Sequence, residues 1–324
     1  MPPHRHHTMT AAPSQLAGGV LAFLAGADLA AVADDLDVDM ADLDEAATVY
    51  QAAGLAALER QAEARWYQLR VQFVDLDAAE KIGAHQLGPR LEQLQACGAI
   101  DGWWFLRKPP GWRLRLRDAD TVAVDRLLDD LTEAGTLTRW WPTIYEPETA
   151  AFGGPAGEQA AHELFCADSL GVLHYARQGR PDLGRRELSV VLINALLQAA
   201  GLDWFERGDV FARVAQLRPA PAPGDSGRVE ALTANMRTLL AIPAQPGTPP
   251  FAPGGLAGFA TPWLTAWQSA GNQLGRAAAE GRLTRGLRAL LTHVVIFHWN
   301  RLGLSATTQG ILAHAATAAF LPES

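Results

Sequence analysis

Residues 102–117 read G-W-W-F-L-R-K-P-P-G-W-R-L-R-L-R, and this stretch narrows the fold more than any other. Trp112, Leu114 and Leu116 alternate with Arg113, Arg115 and Arg117. A strand sends successive side chains to opposite faces, so the three guanidiniums share one face. Lys108-Pro109-Pro110-Gly111 is turn chemistry, which predicts two short strands, Gly102–Leu106 and Trp112–Arg117, around it. Three like charges on one face repel unless an anion sits among them. Arginine grips a carboxylate or phosphate with two parallel hydrogen bonds. Spacing alone leaves two readings open: a bound anion, or a solvated face with Asp and Glu neighbours.

The flanking segments complete a unit. Trp66–Val74 alternates as a strand, and residues 78–97 have helical spacing through Ile82, Leu87, Leu91 and Leu94. Val122–Ala134 reads as a helix closed by Gly135, and Leu137–Tyr145 as a last strand. The expected fold class is α+β, with a ferredoxin-like β-α-β-β-α-β unit over residues 65–147. If Leu114 and Leu116 face the helices, the three arginines lie on the open face. Residues 148–324 read as largely helical, with helices at 156–178, 182–201, 204–217, 228–241, 260–280, 283–300 and 304–319. The Pro/Gly-rich loop 242–258 is long enough for a lid or channel edge, and equally suits an idle surface loop.

Residues 1–64 read as a small helical module whose first 13 residues are disordered. They hold Arg5 and Arg60 against ten acids, a net of −8, which is the charge of the whole chain. Eight of those acids fall between Asp28 and Glu45, with no Lys or Arg. Such a surface repels a phosphate backbone, so no direct nucleic-acid binding is expected. It suits a peptide-docking or oligomer surface, which leaves room for a homodimer, or a plain helical cap. No apolar run is long enough to span a membrane, and residues 1–10 lack a secretion-signal core, so a cytoplasmic protein is expected. Cys97 and Cys166 make no disulfide or metal framework. No nucleotide or flavin fingerprint is present, and no cofactor or metal is expected.

Histidine supplies the candidate acid–base groups, since its unperturbed pKa is about 6.5. His162 and His174 fall on the first C-terminal helix, and His293 and His298 on a later one. His298 stands out because it sits in F-H-W-N-R-L-G-L, where Asn300 and Arg301 are placed to orient it or bind substrate. Tyr145-Glu146-Pro147-Glu148 precedes the turn Phe152-Gly153-Gly154-Pro155. The helix that starts there would offer free N–H groups to an anion, or the turn is only a junction. Glu146 and Glu148 are alternative partners for the arginines.

W-Y-Q-L-R-V-Q-F-V, G-A-I-D-G-W-W-F-L-R, W-R-L-R-L-R, Y-E-P-E-T-A-A-F-G-G-P-A-G, A-H-E-L-F-C-A-D-S and F-H-W-N-R-L-G-L occur here in that order. Together they resemble the C-terminal domain of lantibiotic dehydratases, and more closely its freestanding relatives, the thiopeptide-type bacteriocin biosynthesis proteins. The resemblance covers residues 65–320. It implies the elimination half of a dehydratase. A separate glutamyl-tRNA-dependent protein would transfer glutamate to Ser or Thr of a precursor peptide. This domain would then remove the Cα proton and expel glutamate, leaving dehydroalanine or dehydrobutyrine. A related branch instead joins two dehydroalanines in a formal [4+2] cycloaddition, and a leader-peptide-binding module without turnover is a third reading. By resemblance Arg113 and Arg115 bind the glutamyl group and His298 is the acid or base. Arg117, Tyr145, Glu148, Asn300 and Arg301 are the expected substrate contacts. Two positions depart from the lanthipeptide pattern: Ala151 stands where Arg often precedes Y-G-G, and Ile296 where His often lies four residues before Asn.

Overall fold

In a computed structural model the described residues are 12–321, apart from 180, 223 and 225. The disordered start expected for residues 1–13 therefore lies almost wholly outside them. The chain divides after Arg65 into two units.

The first unit holds α1 (Pro13–Leu24), α2 (Leu29–Leu36) and α3 (Met40–Ala64). Asp28 caps α2 by accepting from the Ala31 N–H at 3.0 Å. Leu16, Val20, Ala33, Leu43 and Ala47 form its small core.

The second unit begins with β1 (Trp66–Phe73). A helical stretch follows in three pieces: α4 (Ala79–Ile82), a π-turn (Gly83–Leu87) and α5 (Gly88–Ala96). The even helix expected over 78–97 is thus interrupted. Pro89 has no N–H to return to His85, and Gly88 N–H reaches back to Gly83 O instead. Next come β2 (Gly102–Lys108), β3 (Gly111–Arg117), α6 (Thr121–Glu133) and β4 (Leu137–Thr143). The strands form one antiparallel sheet in the order β2-β3-β1-β4. Asp120 caps α6 through the Val122 and Ala123 N–H groups, and Val124, Leu128 and Leu131 turn inward. Tyr67 donates to Asp125 at 2.8 Å and Trp140 to Asp129 at 2.9 Å, which fixes α6 over the face that carries Leu69, Leu114 and Leu116.

The remainder is helical: α7 (Pro155–Arg177), α8 (Arg185–Ala199), α9 (Trp204–Gln216), α10 (Ser226–Leu240), α11 (Thr261–Ala279), α12 (Leu287–Arg301) and α13 (Ala306–Phe320). Every residue from Leu188 to Leu197 is buried, so α8 runs through the centre of this part. The 242–258 loop is fastened rather than lid-like. Phe251 is buried, Thr261 Oγ1 donates to Phe251 O at 2.6 Å, and Gln268 donates to Ala244 O at 2.8 Å. Among the described residues no helix is long and apolar enough to cross a membrane.

Candidate active site

The strand register builds the site. Trp104, Arg115 and Gln68 are direct neighbours across β2, β3 and β1; so are Leu106, Arg113 and Arg70, and Gly102, Arg117 and Trp66. The arginine face is not the open one that the sequence pattern suggested. Leu114 and Leu116 do face α6, but α7 lies over the other face. A Cβ on Gly102 would meet Cys166 Sγ of α7 at 3.3 Å. Arg115 is 2% exposed, while Arg113 and Arg117 are half-buried.

Arg115 is held on three sides. Its Nε donates to Gln68 Oε1 at 2.7 Å. Its guanidinium carbon lies 4.1 Å from the Trp104 ring and 4.4 Å from the Tyr145 ring. Gln68 is fixed in turn by donating to Thr143 Oγ1 at 2.9 Å and Ile144 O at 2.7 Å. Burial lowers the Arg115 pKa to about 10, and Arg113 and Arg301 push the same way against Tyr145 and Glu148. Five buried N–H groups of this layer lack a partner: Arg113 Nε, Arg115 Nη1, Arg117 Nε, Arg301 Nη2 and Trp104 Nε1. Buried polar groups are nearly always paired, so such a concentration of spare donors is the signature of an anion site.

Arg301 enters from the end of α12 and is fully buried. Its Nε donates to Phe105 O at 3.1 Å, its Nη1 to Asp168 Oδ2, and its guanidinium lies 4.8 Å from the Phe165 ring. Asp168 of α7 also meets His298 Nδ1 at 2.8 Å and accepts from Trp263 Nε1 at 2.9 Å. Burial works to raise the Asp168 carboxyl, but His298 and Arg301 prevail and hold it at about 2. Arg301 is drawn below its ordinary value by burial, which Asp168 only partly offsets. The two directions agree that the pair is charged, because an arginine stays protonated over any ordinary pH range. His298 is 1% exposed, and its ring packs edge-on against Trp267 at 4.5 Å with Nε2 buried and unpartnered.

A second histidine lies in the same layer. His162 Nε2 is 2.6 Å from the Tyr145 hydroxyl, and its ring lies 4.8 Å from Trp66 and 5.8 Å from Trp104. Burial, Arg115 and Arg117 lower its pKa to about 3, so the imidazole is neutral. Burial drives the Tyr145 hydroxyl upward, so it keeps its proton.

Other expected residues fall elsewhere. Asn300 does not orient His298; its Oδ1 accepts from Gln309 at 2.9 Å, and Asp168 takes that place. A helix end spreads adjacent side chains by about 100° each, which sends Asn300 and Arg301 to different neighbours. Glu148 is half-buried and reaches Arg115 only through space, and Glu146 is exposed. The α7 N-terminus carries Glu158 in its first turn, and Thr149 donates to that carboxylate at 2.5 Å, so the expected anion position is already acidic. Gly153 and Gly154 have φ of 75° and 90°, as the turn required. Ile296 lies in the core and Ala151 is half-buried. His174 faces Glu92 at 3.4 Å, outside the layer. Asp168 was the residue that sequence reasoning missed. Its signal was an acid on the apolar face of a helix, beside Phe165 and Ser169.

Among the described residues no group of His, Cys, Asp and Glu could hold a metal. A groove of about 790 Å³ between α9, α10 and α13 is lined by Ala215, Val229, Arg237 and His314, and by none of the cationic layer. The polar chemistry, not that groove, marks the site.

The fold is shared with known proteins. Residues 66–320 match the family described as lantibiotic biosynthesis dehydratase C-term, and the chain belongs to that family. The tRNA-dependent lantibiotic dehydratase MibB from Microbispora sp. 107891 is similar in structure, with a TM-score of 0.58 and 18% identity. That match covers 78% of this chain but only 28% of MibB. TsrL matches with a TM-score of 0.54 and 18% identity over 80% of this chain and 99% of its own. The pyridine synthase TbtD, from thiomuracin biosynthesis, matches at 0.52 and 16% over 79% and 97%. At these identities the likeness is one of fold. No curated protein is significantly similar in sequence.

Proposed function

We propose that this protein acts in the biosynthesis of ribosomally made, modified peptides, and that it eliminates glutamate from glutamylated Ser or Thr of a precursor peptide. The family and its structural relatives support the broad assignment. One observation carries the finer one: a buried layer in which Arg113, Arg115, Arg117 and Arg301 each keep an N–H without a partner. A glutamyl ester offers a free carboxylate to such a layer, and the leaving glutamate and the enolate-like carbon both develop negative charge. Donors fixed in advance around developing charge are usually the largest catalytic contribution, about 10²–10³ in rate for one donor.

In this reading Arg113, Arg115 and Arg117 hold the glutamyl group, and Tyr145 lies against it. His298 and Asp168 act through Arg301, since His298 is walled in by Trp267. We read the sheet part as ferredoxin-like, on its strand order, and residues 1–64 as an accessory module. A separate glutamyl-transfer protein would supply the substrate.

The cycloaddition reading has its own support, because the chain matches nearly the full length of a pyridine synthase. Mass spectrometry of two model peptides separates them. Loss of one glutamate per modified residue from a glutamylated peptide supports elimination. An inert glutamylated peptide, with cyclisation and leader release from a dehydrated one, overturns it in favour of cycloaddition.

A further inference from the structure

Tyr145 and His162 meet in the cationic layer at a contact through which a proton can be passed on. The hydroxyl and Nε2 are 2.6 Å apart. Tyr145 follows β4 and lays its ring on the Arg115 guanidinium at 4.4 Å, while its hydroxyl meets His162 of α7. His162 is one turn into α7 from Glu158, whose Oε1 lies 3.8 Å from Nε2, beyond hydrogen-bonding reach. Glu158 Oε2 is already occupied by Thr149. Nε2 therefore has one close partner, the phenol.

We propose that Tyr145 is the catalytic base of the elimination, with His162 as the residue that receives its proton. The inference rests on the elimination reading. The substrate Cα–H proton passes to the Tyr145 oxygen as the original phenolic proton passes to His162 Nε2. The Cα electron pair forms the C=C bond, the Cβ–O bond breaks, and glutamate leaves as the carboxylate. His162 ends as imidazolium and returns its proton to solvent. No oxidant or second reactant is needed.

The charged groups facing the pair explain how it is switched. From β3, Arg115 and Arg117 disfavour a cationic His162; from α7, Glu158 comes within 3.8 Å of Nε2; Glu148, Glu158 and Cys166 also bear on Tyr145. A glutamyl carboxylate seated on the arginines cancels the first influence. The imidazole then becomes a better proton acceptor only when substrate is bound. His298 lacks this arrangement, since its partner is Asp168 and its remaining nitrogen faces no hydroxyl.

The test compares the full chain with Tyr145→Phe and His162→Gln on a glutamylated model peptide. An inert analogue, with the ester oxygen replaced by NH, reports binding and therefore folding. Both variants are expected to bind the analogue and to lose about 10²-fold or more in kcat with little change in KM. Exchange of the Cα proton in heavy water is lost with them, and His162→Gln loses the acid limb of the kcat pH profile. Elimination by the wild type that persists in both variants, with the same rate and pH profile, overturns the pair while leaving the elimination reading intact. Absence of elimination in the wild type overturns both.

Discussion

The Arg115 guanidinium stacks 4.1 Å from the indole of Trp104, its direct neighbour across the β2–β3 pair. The contact buries a cation under α7 yet leaves Arg115 Nη1 and Trp104 Nε1 without partners. Such an arrangement is costly for the fold and useful to an anion.

Arg115→Met tests that cost. Burial lowers the Arg115 pKa, so the folded state disfavours the charge. An apolar side chain of similar length keeps the packing and removes the unpaired donor, which offsets the lost bond to Gln68 Oε1. The variant is expected to melt at the wild-type temperature or above it, in a thermal scan without ligand. A fall of many degrees would show that Arg115 is a structural strut.

Asp168→Asn should do the reverse. It leaves Arg301 buried without its counter-charge, at a cost of about 3–5 kcal/mol. The sign with pH follows from a carboxyl held at about 2 against an ordinary 3.8. Its contribution is complete above the ordinary value and fades as pH falls towards 2. Denaturant midpoints should therefore converge for wild type and variant at the acid end and separate near neutrality.

Much of this architecture is legible in the residues. Helix positions in the C-terminal half follow from apolar spacing, and the alternation through Arg113, Arg115 and Arg117 places three cations on one face. Alternation says which side chains share a face, not what covers it, so the roof of α7 over Arg115 is invisible. The Asp168–His298 bond joins residues 130 apart in the chain. No local pattern reports such a contact, and Asn300, two residues from His298, looks the better partner on proximity alone.

Gly171→Ala reaches the site from outside it. An added Cβ would lie 2.2 Å from the Trp263 ring, and Trp263 donates to Asp168 at 2.9 Å. The indole must shift, at about 1–3 kcal/mol for overpacking. Loss of elimination activity with retained folding, read by circular dichroism and mass spectrometry, is the expected result.

Glu80→Gln loosens the end of α12. Glu80 bonds Arg107 at 2.5 Å and Arg185 at 2.7 Å, and these arginines hold the carbonyls of Arg301 and Leu302. Loss of the charge should lower stability by about 1–3 kcal/mol in urea unfolding.

In the proposed elimination the arginine layer holds the glutamyl group. Its most direct test is a single-turnover assay of the wild type and Arg115→Met on one glutamylated peptide, read by mass. The expected result is dehydrated peptide from the wild type and unreacted glutamylated peptide from a folded Arg115→Met. Equal dehydration by both proteins would contradict it.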